Sequence, residues 1–118
     1  MTVVIDASVF NKLFLEESDS DKARACIKSF LETDRPMLAP ALLRLETYKT
    51  ALHFGIDFAT PKTLLDATID AGFELIDPAD AVWETAEQMA KTRHAKTGYP
   101  ALEDSLYHAL AIHADGEF

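Results

Sequence analysis

Residues 2–6 read Thr2-Val3-Val4-Ile5-Asp6, and this run decides the fold class. It is short, β-branched and apolar, and it stops at a carboxylate, the pattern of a buried strand ending at a polar switch. Ser8–Leu15 follows, with Val9, Phe10, Leu13 and Phe14 on a helical stripe. Asp19-Ser20-Asp21 then offers a capped start to a second helix that turns Ala23, Ile27, Phe30 and Leu31 inward. Pro36–Ala39 reads as a second strand, with Pro40 at a first helical position. Ala41–Phe54 turns Leu42, Leu45, Tyr48, Ala51 and Leu52 inward and stops at Gly55. Thr60-Pro61 opens a helix through Leu64, Leu65 and Ile69 to a stop at Gly72, and Phe73–Ile76 is a third strand. Asp77-Pro78 caps a helix through Val82, Trp83, Ala86 and Met89 to about Lys96. A turn at Gly98-Tyr99-Pro100 leads to a last helix, Leu102–Ala114, which Asp115-Gly116 breaks before Glu117-Phe118 begins another strand.

The order β-α-α-β-α-α-β-α-α predicts one α/β domain over residues 1–118, with helices flanking a central sheet. Crossovers of this length join parallel strands. In such sheets the functional crevice lies outside the C-terminal strand ends, where Asp6 stands.

A chain of 118 residues buries roughly two-thirds of its unfolded surface. With 48% hydrophobic and 26% charged residues it has the composition of a globular protein, not a disordered one. The lone Cys26 rules out an internal disulfide and points to the reducing cytoplasm. Its neighbours Ala25 and Ile27 suggest a buried structural thiol, not a reactive one. Asp6, Asn11 and Lys12 in the first dozen residues do not fit a signal peptide, and no apolar run approaches the ~20 residues of a membrane span. The net charge of −9 excludes a broad basic surface for coating nucleic acid. It does not exclude a nuclease, whose acidic site is offset by divalent ions, and it also suits a basic protein partner.

Three carboxylates stand on otherwise apolar elements. Asp6 serves either as the cap of the following helix or as a functional acid, with Ser8 placed to bond and orient it. Glu46 lies beside an apolar stripe, where a charge is costly unless a partner such as Arg44 or Lys49, or a metal, offsets it. Asp104, next to Glu103, either complements the N-terminal dipole of the last helix or joins the other two. These acids are far apart in sequence, so only folding can assemble them. Oxygen donors of this kind suit a hard cation, and a cation held by acids suits phosphodiester chemistry.

The segments Val3-Val4-Ile5-Asp6-Ala7-Ser8, Leu38-Ala39-Pro40-Ala41-Leu42-Leu43-Arg44-Leu45-Glu46-Thr47 and Leu102-Glu103-Asp104-Ser105-Leu106-Tyr107-His108-Ala109-Leu110-Ala111 resemble the motifs of the PIN domain. The likeness is to its small VapC-type toxins of bacterial toxin–antitoxin pairs, in order and spacing from Thr2 to Phe118. It implies a three-layer α/β fold and a Mg²⁺- or Mn²⁺-dependent endoribonuclease. Asp6, Glu46 and Asp104 would be its metal-binding and catalytic acids, and Ser8 its small hydroxyl residue. In-line hydrolysis of RNA would leave a 3′-hydroxyl and a 5′-phosphate, with a cognate antitoxin and a second copy of the chain as partners. The family pattern continues into a strand with a Thr-x-Asp motif whose Asp is a fourth acid; this chain ends at Phe118, so that acid and the closing strands are expected to be missing.

Other polar features carry less. His53, His94, His108 and His113 form no convincing ligand set, although His108 is placed four residues from Asp104 to orient it. Arg93 and Lys96 with Tyr99 are candidates for RNA contact, in a cluster with Lys91 and His94 that equally complements a helix C-terminus. Glu16, Glu17, Asp19 and Asp21 read as a solvated acidic loop, and the tyrosines and Trp83 as core. Two other functions compete. One is a catalytically impaired PIN-like module that binds an antitoxin or itself through an open sheet edge. The other is phosphoryl transfer with Asp6 as nucleophile, for which Ser8 stands where a second Asp is wanted.

Overall fold

The computed structural model describes residues 2–33, 35–97 and 101–116, excepting the side chains of 93–97, 101 and 115–116. Three parallel strands form an open sheet in the order β1 (Val3–Val4), β2 (Met37–Pro40), β3 (Phe73–Ile76). The helices are α1 (Ala7–Asn11), α2 (Ser20–Glu32), α3 (Leu42–His53), α4 (Ala59–Asp70), α5 (Asp80–Thr97) and α6 (Ala101–Gly116). The expected parallel α/β order is present. Among the described residues, no helix is long and apolar enough to cross a membrane.

Strand alternation sorts the core into two parts. Val3, Met37 and Phe73 share a row across the sheet, and Ile5 and Ala39 continue that face. Against it pack Phe10 of α1, Ile27 of α2, Leu43 of α3 and Leu65 of α4, with the Phe10 and Phe73 rings stacked at 6.2 Å. The opposite face offers Val4 and Ile76 to Val82 and Ala86 of α5 and to Leu106, Ala109 and Leu110 of α6. The sheet is thus covered on both sides.

Several boundaries differ from expectation. β1 is shorter than Thr2–Ile5, although Ile5 N–H still donates to Leu38 at 2.9 Å. α1 stops at Asn11 instead of Leu15, because residues 12–15 continue as tight turns. Pro40 ends β2 instead of opening α3, since its missing N–H is not needed at a strand end. α4 begins at Ala59, so Thr60 is not its cap and Pro61 sits where the first-turn N–H has no helical partner anyway. α5 starts two residues beyond Pro78, and α6 runs to Gly116 with no break at Asp115. The predicted turn at 98–100 and strand at 117–118 lie outside the described residues.

The start of α2 is also built differently. Asp19 makes no capping bond to the helix; it accepts from the Lys12 ammonium at 2.6 Å. The loop is held instead by buried Ser20, whose hydroxyl donates to the Leu15 carbonyl at 2.7 Å and accepts from Glu17 N–H at 2.8 Å. Arg24 pairs with Glu16 at 2.7 Å and Asp21 at 3.2 Å, so the acidic loop is ion-paired and not merely solvated. The end of α3 follows expectation: Gly55 takes φ +68°, Ile56 N–H reaches the Ala51 carbonyl, and Gly55 N–H reaches Leu52. That is a Schellman closure, which wants a left-handed residue at this point.

Three burial expectations fail. Cys26 is exposed on the outer face of α2, and Trp83 is 42% exposed on α5. On α3 the buried stripe is Leu43, Thr47 and Ala51, whereas Leu45 and Leu52 face outward. Apolar residues surround that helix on most sides, so spacing alone did not select its inner face.

Candidate active site

Asp6 follows β1, Glu46 stands on α3 and Asp104 on α6. Glu46 feels the charges of the other two, although among the described residues neither Asp6 nor Asp104 lines a pocket with it. β1 delivers Asp6 directly to the first turn of α1. The carboxylate oxygen Oδ1 accepts from Ser8 Oγ at 2.8 Å and from Val9 N–H at 2.9 Å. Asp6 is therefore the cap of α1, as the capping reading expects, and Ser8 bonds and orients it. No donor among the described residues reaches Oδ2.

Glu46 stands on the second turn of α3, on the flank of the buried Leu43–Thr47 stripe, and is half-buried. Neither Arg44 nor Lys49 pairs with it. The Arg44 guanidinium bonds Tyr48 at 3.1 Å, and Glu46 Oε1 accepts from the Tyr107 hydroxyl of α6 at 2.7 Å. Burial raises the Glu46 carboxyl above the usual carboxylate range, and the charges of Glu103, Asp104 and Asp6 raise it further against the lowering effect of Tyr107. Burial and the Glu46 carboxylate in turn push the Tyr107 phenol strongly upward, which keeps it a donor.

Glu103 and Asp104 sit exposed in the first turn of α6, which packs over β1 and β2. Both therefore complement that helix terminus and lie within electrostatic reach of Glu46. His108 forms no bond to Asp104; among the histidines, His113 Nε2 lies 2.7 Å from the Thr85 hydroxyl, joining α6 to α5. Lys91 pairs with Glu87 at 3.0 Å, while Tyr99 and the side chains of Arg93, His94 and Lys96 lie outside the described residues.

A pocket of about 300 Å³ opens between α1, α3 and the start of α6. Ser8, Glu46 and Glu103 bring polar oxygen to it, Leu42 and Leu45 give it an apolar wall, and Lys49 and Thr50 complete the α3 side. Asn11 ties its base together, its Nδ2 donating to Thr50 Oγ1 at 3.1 Å. Among the described residues, no three His, Cys, Asp or Glu side chains are close enough to hold a metal ion between them. Carboxylate oxygens are the donor type a hard cation takes, and Glu46 feels the charges of Glu103, Asp104 and Asp6. Protein donors already hold Asp6 Oδ1 and Glu46 Oε1.

Sequence reasoning passed over Glu103 and Tyr107. The signal for Tyr107 was its place on the buried stripe of α6, three residues from Asp104, where a phenol needs an acceptor. Glu103 is indistinguishable in sequence from an ordinary first-turn acid. In comparison with known proteins, the chain matches no family model, no curated protein and no solved structure.

Proposed function

We propose that this protein is a Mg²⁺- or Mn²⁺-dependent endoribonuclease of the PIN-domain kind, the toxin of a type II toxin–antitoxin pair acting in the cytoplasm. What supports the reading is that Glu46 is half-buried on α3, bonded by Tyr107 of α6, and raised by burial together with the nearby charges of Glu103, Asp104 and Asp6. Stable folds rarely gather like charges without a counter-ion, and perturbed acids gather at functional sites. The motif resemblance supplies the reaction class.

Asp6, Glu46 and Asp104 would hold the cation, with Glu103 beside them. When bound, the cation would offset phosphate charge and make water more acidic. Ser8 fixes one oxygen of Asp6, leaving Oδ2 for binding. Tyr107 donates to Glu46 Oε1, which opposes the upward pull of burial on that carboxyl and fixes its orientation. Leu42 and the largely exposed Leu45 give the pocket an apolar wall.

The test is Asp6→Asn. Asparagine caps a helix as well as aspartate does, so the variant keeps α1 and removes only charge. Purified protein with Mn²⁺ is expected to cleave RNA, and Asp6→Asn or excess EDTA to reduce the rate at least 100-fold. Unchanged cleavage in both would refute the reading.

A second reading is favoured because no three acids among the described residues are close enough to hold a metal ion: a PIN-like module that binds an antitoxin or a second copy without cleaving RNA. The exposed apolar side chains Leu45, Leu52, Phe54 and Phe58 suit self-association in either reading. Calorimetry showing tight partner binding but no divalent-ion binding would favour the module.

A further inference from the structure

We infer that Asn11 is a positioning residue of the acidic site: through Thr50 it ties the helix that Asp6 caps to the turn of α3 that carries Glu46. The inference rests on the ribonuclease reading and adds to it a residue that acts only through its neighbours.

Asn11 is the last residue of α1, whose cap is Asp6, and it is 6% exposed. Its Nδ2 donates to Thr50 Oγ1 at 3.1 Å, and that hydroxyl in turn donates to the Glu46 carbonyl at 3.1 Å. One chain of hydrogen bonds thus runs from α1 into the backbone of Glu46. Among the described residues, Asn11 to Thr50 is the only side-chain hydrogen bond that joins α1 to α3. Apolar packing has no preferred direction, so by itself it lets two helices slide or roll on one another. A directional bond sets their register. Asn11 also lines the pocket that Ser8 and Glu46 border, which places this bond beside the acids and not at a remote seam.

A purely structural role suits Asn11 poorly. It stands among the apolar residues Val9, Phe10, Leu13 and Phe14. Its Oδ1 is buried and accepts no hydrogen bond among the described residues. A leucine there has a similar shape and no polar atom to strip of water. Two further buried hydroxyls lack partners among the described residues, those of Thr47 and Ser105. They directly follow Glu46 on α3 and Asp104 on α6. Buried polar groups without partners are uncommon because each is costly. Here they gather on the three helices that the acids cap or stand on, as at a site where arrangement prevails over packing.

The test compares wild-type protein with Asn11→Leu, Thr50→Val, Thr50→Ser and the double variant Asn11→Leu/Thr50→Val. Calorimetry measures Mn²⁺ binding, and the urea midpoint of the cation-free protein reports stability. Asn11→Leu and Thr50→Val are each expected to weaken Mn²⁺ binding roughly tenfold, the scale found for groups that orient metal ligands. The double variant is expected to lose no more than either single one, because both substitutions break the same link. It is also expected to keep the wild-type urea midpoint, since an apolar pair replaces a bonded pair. Thr50→Ser keeps the hydroxyl and is expected to bind Mn²⁺ as the wild type does. Wild-type affinity in Asn11→Leu or in Thr50→Val overturns the inference and leaves the ribonuclease reading standing. Additive losses in the double variant overturn the link through Thr50, and with it the inference. A loss of affinity that only follows a loss of stability marks a structural role and overturns it too. If Asn11→Leu does not fold, Thr50→Val and its rescue by Thr50→Ser decide the matter alone. Wild-type protein that binds no Mn²⁺ overturns the ribonuclease reading and the inference together.

Discussion

Glu46 is where the energetics of this protein are most exposed to experiment. Its carboxyl is raised by burial and by neighbouring acids, so the folded state holds its proton more tightly than the unfolded state does. Stability contributed by this group is therefore full below the ordinary glutamate value and falls as pH rises through the folded value. Glu46→Gln keeps an acceptor for Tyr107 and removes the repelling charge. Its midpoint of urea unfolding is expected to exceed that of wild type at pH 7, with the gain vanishing as pH falls toward 4. Tyr107→Phe does the opposite: it deletes a buried donor to a charged acceptor and is expected to cost ~1–2 kcal/mol in urea unfolding at pH 7. It is also expected to raise the Glu46 value further, which NMR titration of the carboxyl carbon reads directly. The acceptor of Tyr107 was not legible beforehand. Arg44 and Lys49 are nearer to Glu46 along the chain, and only the docking of α6 on the sheet brings the phenol closer.

Among the elements, α1 and the α3 terminus show how local rules and packing divide the work. Five residues of helix are too few to stand alone, so α1 depends on its Asp6 cap and on Phe10. Phe10→Ala is expected to destabilise by ~3–5 kcal/mol in chemical denaturation, since the ring is 1% exposed and stacks on Phe73. Gly55→Ala meets no steric clash, as nothing lies within 4 Å of the added methyl. Its cost is backbone alone, an expected ~1 kcal/mol for holding alanine at φ +68°. The stop at Gly55 was readable because it needs only one residue type at one dihedral angle. The inward face of α3 was not, because Leu42, Leu43, Leu45 and Leu52 present apolar surface to more than one direction. The sheet chose Leu43 and left Leu45 and Leu52 outside.

At the scale of the molecule, like charges gathered without a counter-ion predict that divalent cations stabilise the fold. In thermal unfolding, Mn²⁺ at about 100 times its dissociation constant is expected to raise the midpoint by on the order of 10 °C. Glu46→Gln should lose most of that shift. The proposed self-association is tested by sedimentation: Leu52→Asp on the exposed side of α3 is expected to move a dimer toward monomer. Taken by itself, the sequence determined the parallel α/β order, the strand Phe73–Ile76, the glycine stop of α3 and the bond from Ser8 to Asp6. These follow from hydrophobic period, backbone dihedral preference and groups only two residues apart. Only the tertiary structure decided which face of α3 is buried and that Tyr107, not a neighbouring cation, holds Glu46. Those outcomes depend on how α6 seats across β1 and β2, and contacts between distant segments have no signature in local spacing.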